Sequence, residues 1–273
     1  MKSRNKGFFY FTIIALLSND LKAANWSDTS AGVRWGSIFR EPYNPHKISK
    51  TILNFTHVSQ DDYGRNFLLM DYYISDMDDP SKDNATGAEE FYGLYRRTLS
   101  YNALAKEPIN NNLIKDIHLS SRMDVGYENT HLSPRPFKVR LGGVVDLKIP
   151  KGHLEWGLEG VYQKSYNGIT NRHFEFEPTL VTWTSWSYPI TKKSQINGIL
   201  EYMGAIGEDG FGNETKPLTI LRANYIYDIG QPKGFKVGVG YEQFNNKYSS
   251  NNAIDPTKGS DQKAFVLLGS YHF

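Results

Sequence analysis

Residues 116–128 read DIHLSSRMDVGYE, and their order decides the fold. Ile117, Leu119, Met123, Val125 and Tyr127 take one parity. Asp116, His118, Ser120, Arg122, Asp124 and Glu128 take the other. Side chains alternate across a strand and repeat every 3.6 residues on a helix, so only a strand sorts this segment into an apolar and a polar face. The next segments repeat the pattern. In PFKVRLGGVVDLKI (136–149), Phe137, Val139, Leu141, Gly143, Val145 and Leu147 oppose Lys138, Arg140, Gly142, Asp146 and Lys148. After the turn PKG, Leu154, Trp156, Leu158, Gly160 and Tyr162 oppose His153, Glu155, Gly157, Glu159 and Gln163. A sandwich strand also alternates but usually runs about five or six residues. Strands about twice that length, each with one wholly apolar face, fit tilted segments crossing a bilayer.

Carried along the chain, the reading predicts twelve strands at 29–38, 48–58, 64–75, 88–101, 114–128, 136–149, 153–165, 172–188, 194–206, 217–229, 235–247 and 262–273. An even number suits an up-and-down antiparallel transmembrane β-barrel with both strand termini at one end, so the expected fold is an all-β barrel of twelve strands. The first and fourth segments alternate poorly, which leaves ten or fourteen strands open. Connections test the count. SQDDY, PKG, ITKK and GQPK are short and fall at the end that bears the termini, whereas SDMDDPSKDNATG, GEDGFGNETKP and NKYSSNNAIDPTKGSD are long, polar and glycine-bearing at the other end. NALAKEPINNNLI is long yet falls on the short-turn side.

The last ten residues, AFVLLGSYHF, place Phe265, Leu267, Gly269, Tyr271 and Phe273 on one face. An apolar end gains little from fraying, so this segment is expected to close the sheet against the first strand. At the other terminus, Lys2, Arg4 and Lys6 precede an apolar stretch that is too short to span a bilayer, and Ala23 and Ala24 offer a cleavage point. Residues 1–23 are therefore expected to be a signal peptide and 24–273 the barrel.

Composition bounds function. The chain has 273 residues, no cysteine and a net charge of +2, with acidic and basic residues interleaved. Thiol chemistry is excluded, and nothing points to nucleic acid. Tyr, Phe and Trp number 18, 15 and 5, a content that favours strands over helices. Seven histidines are scattered with no metal-binding spacing, so neither metal nor cofactor is expected. The acidic run DMDDPSKDN (76–84) lacks the Gly and Glu placement of a calcium loop.

Taking the polar faces as inward gives candidate lumen-lining, solute-binding residues: Phe67, Asp71, Tyr73, His118, Arg122, Asp124, Arg140, Asp146, Glu155, Glu159, Glu175, Glu177, Trp183, Glu201 and Arg222. Mixed charge favours neutral polar solutes over ions of one sign. Taken singly, each of these residues more readily pairs with an opposite charge on a neighbouring strand, although twelve strands leave room for a path. Enzyme readings are weaker. His118 and Ser120 share a face, as a nucleophile and base would, but that face also carries Asp116, Arg122 and Asp124 and cannot meet acyl chains. His131 and His173 lie near loops with no fixed partner, and Glu175 and Glu177 read more simply as wall carboxylates than as a glycosidase pair. A surface receptor or structural barrel without transport remains an alternative.

YGRNFLLMDYYISD (63–76) followed by AEEFYGLYRRTLS (88–100) resembles the early strands of the nucleoside-specific outer-membrane channel family, Tsx and its OmpK relatives. The resemblance covers about 40 residues plus the general layout. It implies a monomeric twelve-stranded barrel in a bacterial outer membrane that passes nucleosides or similar small polar solutes. Outer-membrane lipids would surround it, and the barrel-assembly machinery would recognise the strand ending at Phe273.

Overall fold

The computed structural model describes residues 24–105, 108–230 and 233–273. The expected signal peptide lies outside the described residues. The strands are β1 (Trp26–Phe39), β2 (Ile48–Asp61), β3 (Gly64–Ser75), β4 (Glu89–Ser100), β5 (Ile114–Glu128), β6 (Phe137–Leu147), β7 (His153–Asn167), β8 (Arg172–Glu175), β9 (Thr179–Pro189), β10 (Ser194–Met203), β11 (Leu218–Ile229), β12 (Phe235–Asn245) and β13 (Gln262–His272). Each pairs antiparallel with its neighbours, and β6 pairs with β7 to close the ring. Twelve strands form the barrel wall, and the short β8 extends the same edge of β7 that β9 occupies. The chain is thus a closed twelve-stranded antiparallel β-barrel with one extra strand.

The terminal strand closes the sheet against β1, from Ser30 opposite His272 to Trp35 opposite Leu267. The Phe273 N–H adds a bond to the Thr29 carbonyl at 2.9 Å, so the final aromatic is held rather than frayed. The long connection after β4 does stand on the short-turn side. It opens with a helical turn, Tyr101–Leu104, whose N-terminus is capped by the Ser100 hydroxyl.

The outward face is apolar and uncovered. Leu119, Leu141, Leu158, Leu180 and Leu200 on five adjoining strands, and Leu267 on β13, are 42% to 62% exposed. Leaving one leucine in water forgoes about 1.5–3 kcal/mol, and a whole belt of them would exceed the roughly 5–15 kcal/mol that separates folded from unfolded chains. Hydrocarbon is the solvent in which this surface is stable, because a closed barrel leaves no backbone edge unpaired there. None of the described helices is long and apolar enough to cross a membrane.

Besides a shift between Ile114 and Asp116 in the pairing of β5 with β6, two breaks in register redirect side chains. In β1 the pairing with β2 shifts between Gly36 and Phe39, which turns Phe39 inward onto Ile48, Ile52, Ala264 and Val266. The predicted strand 172–188 is interrupted at 176–178. Val161 lies opposite Thr179, but Lys164 lies opposite Glu175, a slip of one residue. Pro178 has no N–H to offer β7, and the Glu177 N–H leaves the ladder for the Ile206 carbonyl at 2.9 Å. Because the side-chain period is two, that slip reverses the faces of β8 relative to β9.

Candidate functional site: the barrel lumen

The inward rows of the strands meet in three groups of charge. The first joins β1, β3, β11 and β12. Arg34 reaches Asp71 at 2.6 Å and Glu242 at 2.8 Å, and Arg222 reaches Glu242 at 3.4 Å. Asn54 donates to Asp71 at 2.5 Å, and the Tyr73 hydroxyl donates to it at 3.2 Å. The second group spans the lumen from β5 and β6 to β10. Arg122 grips Asp124 through Nε and Nη2 at 2.6 and 2.8 Å. Arg140 holds Glu201 with two parallel bonds of 2.8 and 3.0 Å, the geometry that a planar guanidinium gives best. Tyr92 donates to Asp124 at 2.7 Å and accepts from Arg122 at 3.0 Å. Both groups set two guanidinium groups against two carboxylates.

The third group sits near the end that bears the termini. Arg65 of β3 crosses to Asp146 of β6 at 2.9 Å and Glu155 of β7 at 3.1 Å. His118 lies 3.2 Å from Asp146 and 3.6 Å from Asp116, and His153 lies 3.2 Å from Glu155. Ser100 and the Asn102 N–H hold Asp116, and Ser185 donates to Glu155 at 2.8 Å.

Between the second and third groups stands a stacked aromatic. The Arg96 guanidinium lies 4.0 Å from the centroid of the Trp183 ring, and the Trp183 N–H donates to Glu159 at 3.1 Å. Gly157 leaves the space for that ring, since a Cβ there would come within 2.3 Å of it. Ser120 completes the set by donating to Glu159 at 2.6 Å. Ser120 therefore serves a carboxylate, not His118, and both residues face the barrel interior.

Of the residues expected from sequence, Asp71, Tyr73, His118, Arg122, Asp124, Arg140, Asp146, Glu155, Glu159, Trp183, Glu201 and Arg222 enter these contacts. Phe67 shares the inward row of β3 with Arg65, Asp71 and Tyr73. Glu175 and Glu177 do not join them. The slip at 176–178 leaves both exposed, with Glu175 beside the outward Tyr162. Read as one uninterrupted strand, 172–188 places these two glutamates and Trp183 on a common face.

Arg34, Arg65, Tyr92, Arg96 and Glu242 were not singled out from the sequence. Arg34 and Arg96 lie in the two segments that alternate least cleanly. Glu242 carried a usable signal, since it shares parity with Lys236 opposite the apolar Val237 and Val239. Also unforeseen are two apolar clusters facing inward. One joins Val161, Val181, Met203, Ile206, Leu218 and Phe244, and the other gathers around Phe39.

Loops build the far end of the lumen. Lys50 of β2 and Lys247 of the β12–β13 loop converge on Glu41 at 2.5 and 2.7 Å, and Lys247 also reaches Gln262 at 3.2 Å. Burial opposes ionisation of Glu41, but the two ammonium groups hold its carboxyl below the usual range. Asn246, Tyr248 and Ser249 adopt left-handed backbone, which turns Lys247 inward. Asp255 anchors the same loop. Burial would raise its pKa, yet hydrogen bonds from Thr257, the Tyr43 N–H and Ser260 bring it down to about 2.

No protein-family model matches the chain, and no curated protein sequence matches it. Among solved structures, the COG4313 outer membrane channel from Pseudomonas putida F1 is similar in fold, with a TM-score of 0.56 at 13% identity, covering 93% of this chain and 98% of that one. The NanC porin is similar with a TM-score of 0.51 at 9% identity, covering 88% of this chain and 98% of that one. At such identities the likeness is one of fold, that of outer-membrane barrels.

Proposed function

We propose that the chain is a passive channel of a bacterial outer membrane, monomeric and without cofactor, for small neutral polar solutes of the nucleoside kind. The observation that supports this most is the balanced lumen wall. The groups around Arg34 and Arg140 each match two guanidiniums with two carboxylates, and the extra cation Lys138 beside Asp124 is countered by the carboxylate excess around Arg65, so the wall as a whole concentrates neither anions nor cations strongly. A solute rich in hydroxyls and ring nitrogens can exchange its water for those groups in turn, and weak contacts at several places favour release. Two solved barrels of similar fold are named as a channel and a porin, and the early strands resemble the nucleoside-channel family.

The test is uptake by liposomes that contain the purified protein, comparing nucleosides, sugars and amino acids of like size, with phospholipid hydrolysis followed in parallel. Faster entry of adenosine or thymidine than of sugars is the expected result. Entry of sugars and nucleosides at equal rates would remove the base preference, and fatty-acid release without entry would replace the channel by an enzyme.

A further inference from the structure

The three charge groups of the lumen differ in one respect. The groups around Arg34 and Arg140 each set two guanidiniums against two carboxylates, with Lys138 as a further cation opposite Asp124, but the group around Arg65 sets one guanidinium against Asp116, Asp146 and Glu155. Among these groups Arg65 offsets one of three negative charges and leaves a deficit, whereas a divalent ion in its place would offset two. Such a deficit is costly where solvent is scarce, and Asp146 is 6% exposed.

The ligand chemistry completes the case. One donor atom from each of Asp146, His153 and Glu155 lies within 4.8 Å of the others, so modest side-chain rotation brings them around a shared ion. Asp146 and Glu155 are directly opposite in the β6–β7 ladder, and His153 stands two residues before Glu155 on the same row. His118 is 4% exposed. Its Nε2 lies 3.2 Å from Asp146 and its Nδ1 has no hydrogen-bond partner, so a buried imidazole nitrogen is left uncommitted beside the cluster. Two imidazoles with two carboxylates suit zinc and its neighbours among the divalent transition metals, not calcium or magnesium, which take oxygen ligands.

We propose that Asp146, His153 and Glu155, with His118 as a fourth ligand, bind a divalent transition-metal ion of the zinc class in competition with the Arg65 guanidinium. Arg65 now fills the place between these groups, within 3.4 Å of both imidazoles, and is the built-in cation that the metal displaces. The site does not depend on what permeates the barrel.

The test is titration of the full-length protein in detergent with Co²⁺, read by its visible ligand-field absorption, and with Zn²⁺ in competition. One ion per chain is expected. His153→Ala should weaken binding by at least about tenfold, as loss of groups at a metal site commonly does. Arg65→Ala should tighten it by a similar factor, because the competing cation is gone. His153 stands at the rim of the group, so its replacement leaves the Arg140 and Glu201 pair intact for folding. Absence of binding in both the wild type and Arg65→Ala, or binding that His153→Ala leaves unchanged, would overturn the proposal.

Discussion

The middle of the lumen and its loop end are both lined by ion pairs, yet they are built differently. In the middle, Arg122, Asp124, Arg140 and Glu201 all come from strands, and each points inward because of its parity. At the loop end, Glu41 and Lys247 come from connections and meet Lys50 because left-handed residues turn the chain back over the barrel. Alternation settles which way a strand residue faces. It does not say which residues meet across the lumen, and it is silent on loops.

The largest expected effect lies in the middle. Arg140→Ala leaves Glu201 buried without its bidentate partner, a change that costs about 3–5 kcal/mol. Replacing both residues by methionine should recover most of that loss in urea unfolding from detergent or liposomes. If the single variant unfolds like the wild type, the pair is solvated and the middle is no more ordered than the loop end. One position along, Leu141→Arg places charge on the 59% exposed outward face, and insertion into liposomes should weaken by about 2–4 kcal/mol. These adjacent substitutions separate the two faces of one strand.

At the loop end the effects should be smaller and local. Lys247→Met removes a cation that Lys50 partly replaces beside Glu41, with an expected loss of about 1–3 kcal/mol read as faster proteolysis within 246–261. Protonation of Asp255 tests the same loop. Its carboxyl titrates near 2 when folded, against about 4 in a free chain, so it stabilises the loop above pH of about 4 and that contribution is lost as pH falls toward 2. Asp255→Asn should remove this acid dependence of loop proteolysis. The smallest effect belongs to the slipped segment. Glu175→Gln should leave stability within about 0.5 kcal/mol and conductance unchanged, whereas Glu201→Gln should change both.

Much of the wall was legible because hydrocarbon on one side and charge on the other impose a strict period of two. The runs through Leu119, Leu141 and Leu158 show it, and the strand ends there fall within two residues of expectation. The errors fall where one residue breaks that period. The slip at 176–178 sends Glu175 outward, and a like shift after Gly36 turns Phe39, just beyond the predicted first strand, inward. The third charge group was hidden for another reason. Asp146 and His153 flank a turn, but Arg65 lies three strands away and only closure of the barrel brings it to them.

Since the chain has no cysteine, single substitutions give one labelled position each. Cysteines at Leu119, Leu141, Leu158 and Leu180, and at Ser120 on the opposite face of β5, can carry a fluorophore that lipid-borne bromine quenches. The account predicts strong quenching at the four leucine positions and little at Ser120. Equal quenching on both faces, or none in a protein that stays dissolved without detergent, would contradict a barrel whose apolar face meets lipid and whose charges meet one another inside.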